Sequence, residues 1–312
     1  MKTLWQKLFT SNENKEVLEK KKIQWDLRSS KIKTTMFLVA FFSELALIYF
    51  VAKSYGLIED SVILGDKIAT IDFNQPVTQK YVNKITKSLD KIKKDKAYKE
   101  VLFIMNSPGG SPTASEELSE YLREYTQTKH ITMYIQGIAA SGGYYIASAI
   151  KPLYSNKNAI VGSIGVIMPH YNLGALAKKI GIEEDDLSAG EFKKPVSFFK
   201  KLGEKEKSYL KKQLLTPMYN NFVASVAKNR ELNISAVKIF AEGKIFMGND
   251  ASIQGILVDN ISTLIKVKSR MRKNYTHKIS FVDVMPKDPM GLLGNKIEFN
   301  LNLAKEMMPM FK

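Results

Sequence analysis

The sequence predicts an α/β fold with mostly parallel strands, preceded by one N-terminal transmembrane helix. Three observations support this prediction: an apolar segment near the N-terminus, apolar strand-like runs that alternate with amphipathic helical runs, and glycine-rich turns after two of the strands. Alternating strands and helices indicate parallel strands with right-handed crossovers. We expect five regions: a basic tail (1–33), the transmembrane anchor (34–52), a linker (53–65), the main domain (66–265) and a C-terminal strand and helix extension (266–312).

The apolar segment 34–52, TTMFLVAFFSELALIYFVA, comes close to the roughly 20 residues that a helix needs to cross a bilayer. A cleaved signal peptide fits poorly, because its apolar core is usually about 7 to 15 residues long. Inserting Glu44 near the middle of the membrane costs about 3 kcal/mol of free energy. We therefore expect a partner or a functional role for the helix face that carries Glu44. A buried helix of a soluble protein is the alternative interpretation.

Lysine and arginine predict the orientation of this single-pass anchor. Nine of them precede the span, whereas Lys53 follows it and is itself followed by Glu59 and Asp60. We therefore expect the N-terminus in the cytoplasm and the main domain on the outer, periplasmic side of the cell (inner) membrane. The net charge of +16 fits either a solvated basic surface or attraction to anionic membrane lipid. Nucleic acid is not an expected partner, because no nucleic-acid-binding motif is present.

Composition also limits the chemistry. The chain has no cysteine, which excludes disulfides and thiolate metal sites. Its three histidines, His130, His170 and His277, are far apart in the sequence, and none has the spacing of a metal-ligand pair. We expect no metal and no cofactor.

The elements of the first half follow from periodicity and turn residues. Apolar residues at spacings of three and four predict helices, and short β-rich apolar runs predict strands. In chain order we predict a strand (67–73), a helix (79–95), a strand (100–105), a turn (NSPGGSP, 106–112), a helix (114–127), a strand (130–135) and a helix that starts near Ser141. The segment GIAAS then lies beyond the carboxyl end of a strand, where open α/β folds place their sites.

The second half is predicted with the same rules. A glycine-kinked strand covers 159–168, and a helix surrounds LGALAKKIG. Apolar residues at every fourth position predict a helix over 204–228, with a kink at Pro217. We further predict a strand, turn, helix and turn over 241–259, a strand over 277–285 and an apolar helix over 301–311.

The stretch GIAASGGYYIAS, 137–148, surrounds Ser141 with the smallest residues. A serine nucleophile needs a base within hydrogen-bond reach and donors for the developing oxyanion. Small neighbours let a substrate backbone approach, and the start of a helix supplies free N–H groups. The N–H of Gly142 is one candidate oxyanion donor, and NSPGGS offers another at Gly110.

Two kinds of base are compatible with the sequence. Histidine is the usual general base, and His170 follows Ser141 by 29 positions. Lysine is the alternative, because serine–lysine variants of the triad exist. Lys193 and Lys194 stand next to each other between Phe192 and the apolar run that starts at Pro195, and both features lower the pKa of a lysine.

An ordered set of motifs resembles the signal peptide peptidase A family of membrane-anchored serine–lysine peptidases, in its short single-repeat form. The resemblance covers about 66–265 and is carried by NSPGGSPTASEEL, GIAASGGYYIAS, VGSIGVIM, AGEFKKP and GKIFMGNDASIQGILVD. Departures are modest: IQG replaces the more usual MG, and Pro217 interrupts a family helix. The implied fold is that of the Clp protease and crotonase group, and 66–265 is the implied peptidase domain.

The resemblance also implies roles for individual residues. Ser141 is the nucleophile, Lys193 the base, and Ser163 the residue that orients the lysine amine. Gly110 and Gly142 are the oxyanion donors. The implied substrates are remnant signal peptides and other unfolded or membrane-near polypeptides, and the implied assembly is a ring-shaped homo-oligomer in which the lysine can reach the serine of a neighbouring protomer.

Two other functions remain open at this point. One is a serine–histidine peptidase on the same fold, with His170 as base. The other is a non-catalytic membrane scaffold, or a crotonase relative that binds acyl-CoA. The crotonase interpretation lacks support, since such enzymes rarely carry a serine between Ala-Ala and Gly-Gly, or a membrane anchor.

Overall fold

A computed structural model describes residues 2–54 and 65–286, which belong to two separate units, 2–54 to one and 65–286 to the other. In the first unit, helix α1 covers Lys2–Ser54. Within α1, Lys22–Val51 is long and apolar enough to cross a membrane by length and composition. The predicted basic tail and apolar segment thus share one helix. Most of the predicted linker, and the predicted helix over 301–311, lie outside the described residues.

The second unit contains a mostly parallel sheet with helices around it. Its strands are β1 (Lys67–Phe73), β2 (Tyr98–Ser107), β3 (His130–Ala140), β4 (Leu153–Ser155), β5 (Ile160–Gly162), β6 (Ile245–Met247), β7 (Asn260–Ile261) and β8 (Ser280–Asp283). Its α-helices are α2 (Gln79–Lys93), α3 (Pro112–Tyr125), α4 (Gly142–Ser148), α5 (Gly174–Lys179), α6 (Glu204–Leu210), α7 (Thr216–Arg230), α8 (Ile234–Phe240) and α9 (Leu264–Lys273). A π-helix (Lys211–Leu215) joins α6 to α7, and a 3₁₀ turn covers Ala251–Ile253.

The sheet has the strand order β6-β5-β3-β2-β1-β8, and β4 pairs with both β3 and β7. Every named pair is parallel except β5 with β6. The central strands β2 and β3 are apolar and almost continuously buried, because helices cover both faces of a parallel sheet. The predicted alternation of strands and helices is therefore the architecture of this unit.

Local sequence signals explain where α2 and α3 begin. The Thr78 side chain accepts a hydrogen bond from the Tyr81 N–H and caps α2, whose apolar stripe is buried. The Ser111 side chain caps α3 in the same way, and Pro112 occupies its first turn, where the missing N–H costs nothing. Both helices pack on the sheet and leave the carboxyl ends of β2 and β3 next to each other.

A buried ion pair connects the later part of the unit to the sheet. Arg230 at the end of α7 is 4% exposed and pairs with Asp259. Its Nε donates to the Ile256 carbonyl at 3.0 Å, and the Asp259 carboxylate accepts the Leu153 N–H at 2.7 Å. Because these hydrogen bonds satisfy both charged groups, the ion pair is tolerated where little water reaches it.

Three elements differ from their predicted extents. The strand predicted over 159–168 ends at Gly162, because Gly162 and Ser163 both have positive φ and turn the chain. The helix predicted over 204–228 divides at the π-helix that precedes Pro217, since proline cannot donate the next helical hydrogen bond. Beyond residue 265, α9 continues the fold and β8 pairs with β1, so the compact unit extends to Pro286.

Candidate active site

The candidate site lies where β2 and β3 end. Ser107 of β2 pairs with Ala139 of β3, so the glycines after β2 and the serine after β3 meet at the carboxyl edge of the sheet. Open α/β sheets bind ligands at this edge. Topology therefore brings together NSPGG and Ser141, which are about thirty residues apart in the sequence.

Ser141 occupies a sharp turn between β3 and α4. Its φ of 51° and ψ of −125° lie outside the usual regions for a residue with a side chain. The turn is fixed on both sides: the Ser141 N–H donates to the Gly162 carbonyl at 2.9 Å, and its carbonyl accepts from the Tyr145 N–H at 2.9 Å. Within the described residues, the hydroxyl forms no hydrogen bond and is available to a reactant.

Close packing explains the small residues around Ser141. A Cβ on Gly109 would lie 2.7 Å from the Ser141 Cβ and 2.8 Å from the Gly142 nitrogen. A Cβ on Gly143 would lie 2.5 Å from the Ser107 carbonyl oxygen. Distances below about 3 Å are not tolerated, so glycine at these positions lets the two loops and the first turn of α4 touch.

Two backbone amides beside Ser141 have no protein acceptor among the described residues. Gly142 is the first residue of α4, where an N–H has no intrahelical partner. Gly110 has a φ of 156°, and its neighbours Gly109 and Ser111, not its own N–H, make the backbone bonds to Val77. The Gly110 nitrogen would be 3.3 Å from a Cβ on Gly142. The two predicted oxyanion donors are thus close to each other.

A cavity of about 940 Å³ opens over these groups. Ser141, Gly142, Gly110 and Ser163 all line it, so the structure brings together four of the five predicted site residues. Ser163 has a φ of 53°, and its N–H is held by the Lys244 carbonyl at 2.6 Å. Its hydroxyl has no partner among the described residues.

One wall of the cavity was not predicted from the sequence. It is mainly apolar and comes from α6, the π-helix and α7, together with Tyr145 of α4; the wall residues include Leu210, Leu215, Met218, Tyr219 and Phe222. The fourfold apolar spacing over 204–228 indicated a helix face, but nothing in that spacing distinguishes a face on a core from a face on a cavity. The Tyr145 and Phe222 rings lie 4.8 Å apart.

Tyr219 and Glu242 add a polar contact to this cavity wall. The Tyr219 hydroxyl donates to the Glu242 carboxylate. Burial, together with this hydrogen bond, raises the pKa of Tyr219 to about 12. Glu242 has a φ of 62°, a strained value for a residue with a long side chain. Both residues line the cavity, and neither belongs to one of the predicted motifs.

Lys193 is the fifth predicted site residue, and it does not line the cavity of its own chain. It lies in an irregular segment between α5 and α6, and it is exposed. Its N–H donates to the Gly190 carbonyl at 3.1 Å. Within the described residues, its ammonium forms no hydrogen bond or ion pair.

The adjacent Lys194 has a different environment. Its ammonium contacts Glu184 and Asp186, each at 2.5 Å. These carboxylates raise the pKa of Lys194, with the Asp186 hydrogen bond as the larger cause. The hydrogen bonds from Lys194 and then from the Ser197 hydroxyl lower the pKa of Glu184 to about 2. Glu184 and its partners therefore link the two ends of the irregular segment.

The histidines lie outside the cavity lining. His170 Nε2 forms a 2.8 Å hydrogen bond with the Ser197 carbonyl. His130 begins β3, eleven residues before Ser141, which places it about 36 Å away along an extended strand. Among the described residues, no group of three or more histidine, aspartate or glutamate residues could hold a metal ion.

Comparisons with known proteins place these features in a family. The model of "Peptidase family S49" matches residues 123–278, half of the chain, including Ser141, Ser163 and Lys193. The chain belongs to peptidase family S49. The "Clp protease" family model matches residues 64–161. This match and the mostly parallel sheet establish the Clp protease/crotonase-like fold class for this S49 member, and confirm the prediction from the sequence.

Several relatives of this S49 peptidase have protease names. A protein of Methanocaldococcus jannaschii named as a protease is 36% identical over 212 residues, which are 64% of this chain and 68% of the relative. A protein of Enterococcus faecium named as signal peptide peptidase SppA is 34% identical over 217 residues, 67% of this chain and 62% of the relative. These matches confirm the resemblance to the signal peptide peptidase A family. A ClpP1 mutant from Listeria monocytogenes aligns in structure with a TM-score of 0.41 and 14% identity, over 62% of this chain and 91% of that chain.

Proposed function

We propose that this S49 protease is a membrane-anchored serine endopeptidase that uses Ser141 as nucleophile and Lys193 as general base. The observation that carries the proposal is the strained turn at Ser141, which presents a free hydroxyl to the cavity beside two amides without acceptors. A serine in this setting can attack a carbonyl, and the two amides can stabilise the oxyanion.

The proposed reaction proceeds through an acyl-enzyme. Ser141 Oγ forms a bond to the scissile carbonyl carbon while its proton passes to the neutral amine of Lys193. The carbonyl oxygen becomes an oxyanion and accepts hydrogen bonds from the N–H groups of Gly110 and Gly142. The tetrahedral intermediate collapses, the C–N bond breaks, and the leaving amine takes the proton from Lys193. Water then repeats the sequence on the ester.

Ser163 supports this assignment through its place in the cavity. Its hydroxyl lines the same cavity as Ser141 and has no partner among the described residues, so it can accept a hydrogen bond from an incoming lysine amine. A single bond of this kind would orient the amine and leave its lone pair free to accept a proton. A carboxylate partner would instead stabilise the protonated ammonium.

The contrast between the two adjacent lysines favours Lys193 as base. Lys194 is held as a cation by two carboxylates, whereas the Lys193 ammonium has no carboxylate partner among the described residues. Because Lys193 does not line the cavity of its own chain, we propose that it serves Ser141 of a neighbouring protomer in a ring-shaped homo-oligomer.

Peptide hydrolysis by the full chain tests the dyad. We expect Ser141→Ala and Lys193→Ala each to lose at least about a thousandfold in kcat/KM, as for residues that act as one catalytic unit. Lys194→Ala is the matched control, and it keeps most of the activity. Full activity in either dyad variant would end the proposal.

The two other functions make different predictions in the same assay. A serine–histidine enzyme would lose acylation in His170→Ala and keep it in Lys193→Ala. The hydrogen bond of His170 to the Ser197 carbonyl, outside the cavity, argues against that enzyme. A non-catalytic scaffold would show no hydrolysis with any variant or with the wild type.

The substrate and location are proposed from α1 and from the relatives. The apolar part of α1 makes a single-pass anchor in the cell membrane, with a cytoplasmic N-terminus and the peptidase domain on the outer side. Remnant signal peptides and other unfolded or membrane-near polypeptides are the proposed substrates. A reporter fused after residue 56 that is active only in the cytoplasm would contradict this orientation.

A further inference from the structure

A regular row of lysines follows the outer face of α2. Its members are spaced by four, three, four and three residues: Lys80, Lys84, Lys87, Lys91 and Lys94. At about 100° per residue these five positions lie within an arc of about 80°, opposite the buried stripe of the helix. All five side chains are exposed. We call these five residues the lysine row.

The lysine row has no carboxylate partner within the described residues. None of its five ammonium groups is in an ion pair or a hydrogen bond there. Asp90, the acidic residue of α2 itself, accepts the Tyr121 hydroxyl at 2.7 Å and points to α3. A solvated helix face usually mixes both signs, because opposite charges at spacings of three and four stabilise the helix. An unmixed row has an electrostatic cost in the isolated domain.

The lysine row ends at the edge of the sheet where the parallel strands begin, because α2 crosses from the end of β1 to the start of β2. Further exposed lysines lie at this edge or beside it, just before the starts of β2 and β8: Lys96, Lys273 and Lys278. The nearby carboxylates make other contacts. Asp95, which follows the lysine row, accepts the Ala97 N–H at 2.9 Å. Asp66 binds Lys99 and His277, and the Glu100 carboxylate, largely buried, accepts the Tyr275 hydroxyl.

The same edge is the one at which the chain enters the peptidase domain. Twelve residues, 55–66, separate the end of α1 from β1. A chain of that length reaches at most about 40 Å when fully extended. An anchor in the bilayer therefore keeps the beginning of β1 within that distance of the headgroups, and the lysine row comes to the same edge.

We infer that the lysine row of α2 is a docking surface for anionic phospholipid headgroups, and that it holds the peptidase domain against the membrane in which α1 is anchored. This inference rests on the anchoring role proposed for α1. The row is about 21 Å long and lies on a convex helix, which suits an extended layer of headgroups better than a single phosphate. No aromatic side chain interrupts it, so it lacks the stacking platform typical of single-stranded nucleic-acid sites.

The test measures the distance of α2 from the membrane, because α1 alone would keep any variant bound to vesicles. The chain has no cysteine, so one dye can be attached at Asn83→Cys, beside the lysine row. A second labelled protein carries the dye at Ser208→Cys on α6, beside the catalytic cavity. Both full-length proteins are placed in nanodiscs that contain an acceptor-labelled lipid, with phosphatidylcholine alone or with added phosphatidylglycerol, and energy transfer is recorded.

We expect transfer from position 83 to rise when phosphatidylglycerol is present and to fall again at high salt, which screens the attraction. The variant with Lys84, Lys87, Lys91 and Lys94 replaced by glutamine should give the phosphatidylcholine value in both membranes. A matched variant with Lys157, Lys178, Lys179 and Lys238 replaced by glutamine removes the same charge from other surfaces and should behave as the wild type. Peptide hydrolysis in detergent should be unchanged in both variants.

Each other outcome overturns the inference. Equal transfer in the two membranes, or a rise that persists when the lysine row is neutralised, contradicts headgroup docking. Retention on immobilised duplex DNA that depends on the row, with no effect of phosphatidylglycerol, assigns the row to nucleic acid. Extraction of the wild-type chain from membranes by alkaline carbonate shows instead that α1 is not an anchor, and this measurement separates failure of the proposed function from failure of the docking surface.

Discussion

The two halves of the proposed dyad are built in opposite ways. Ser141 lies at the end of a buried central strand, in a turn held by backbone hydrogen bonds and by glycines that allow close contact. Lys193 lies in an exposed segment without helix or strand, which is held by ion pairs around Glu184. The proposed nucleophile and its proposed oxyanion donors are therefore preorganised within one chain. The proposed base lies in a segment with few buried side chains, so we expect its position to depend on what packs against that segment.

The largest expected effect comes from separating the two halves. Ser141→Ala and Lys193→Ala chains should each be inactive alone, but a mixture assembled together should recover activity if the dyad forms between chains. Random mixing gives a site with one intact serine and one intact neighbouring lysine in about a quarter of cases, so we expect recovery towards a quarter of wild-type hydrolysis. A mixture that stays inactive, although mass measurement shows mixed assemblies, would indicate a dyad within one chain.

The next effect concerns the buried part of the domain that holds Ser141. Asp259→Ala leaves the nearly buried Arg230 guanidinium without its partner, and breaking a pair of this kind costs about 3–5 kcal/mol. Chemical denaturation should show this loss, while activity per folded molecule changes little. Glu231→Gln is the control, because its carboxylate pairs with an exposed lysine and exposed pairs contribute about 0–1 kcal/mol. Equal destabilisation by both changes would contradict the role of the buried pair.

Gly143→Ala tests the packing that holds Ser141. The new Cβ would meet the Ser107 carbonyl oxygen at 2.5 Å, so α4 must move away from β2. We expect kcat/KM to fall about a hundredfold, as for other small displacements of reacting groups. Gly190→Ala, in the segment of Lys193, places its Cβ in open space and should change activity only a few-fold despite its φ of 101°. A larger loss of activity for Gly190→Ala than for Gly143→Ala would mean that the segment of Lys193 is more tightly constrained than the turn at Ser141.

The smallest effect is expected at Glu184. Its lowered pKa means that the bonds to Lys194 and Ser197 contribute fully above the usual pKa of about 4.3 and are lost as the pH falls towards 2. The hydrogen-exchange protection factors over 183–200 should therefore be steady from pH 7 to about 5 and decrease below that. Glu184→Gln should show the decreased protection already at pH 7, with a few-fold loss of activity. Glu183→Gln, the exposed neighbour, should match the wild type at every pH.

The same contrast explains what could be predicted from the sequence. The central sheet, α2, α3 and the place of Ser141 followed from apolar periodicity and from the rule that parallel strands gather their carboxyl ends at one edge. Glycine content suggested the turns, but not that Ser163 would share a positive φ with Gly162 and end β5 early. The cavity wall and the π-helix before Pro217 depend on tertiary packing, which a periodic pattern over 204–228 does not contain.

The position of Lys193 was the least predictable feature of the site. The family resemblance predicts Lys193 as the base, but a segment with few buried apolar residues has no strong local signal for the path of its backbone. The ion pairs of Lys194 with Glu184 and Asp186 depend on side chains that are eight to ten residues apart in an irregular stretch. Such contacts have no fixed spacing, unlike those on a helix face.

Covalent labelling of Ser141 tests the central claim most directly. The full-length protein is treated with a fluorophosphonate, and the adduct is located and timed by mass spectrometry of its peptides. The account predicts one adduct, on Ser141, that forms at least about a hundredfold more slowly in Lys193→Ala and at the wild-type rate in Lys194→Ala. An adduct on another residue, or labelling of Ser141 at the wild-type rate in Lys193→Ala, would contradict it.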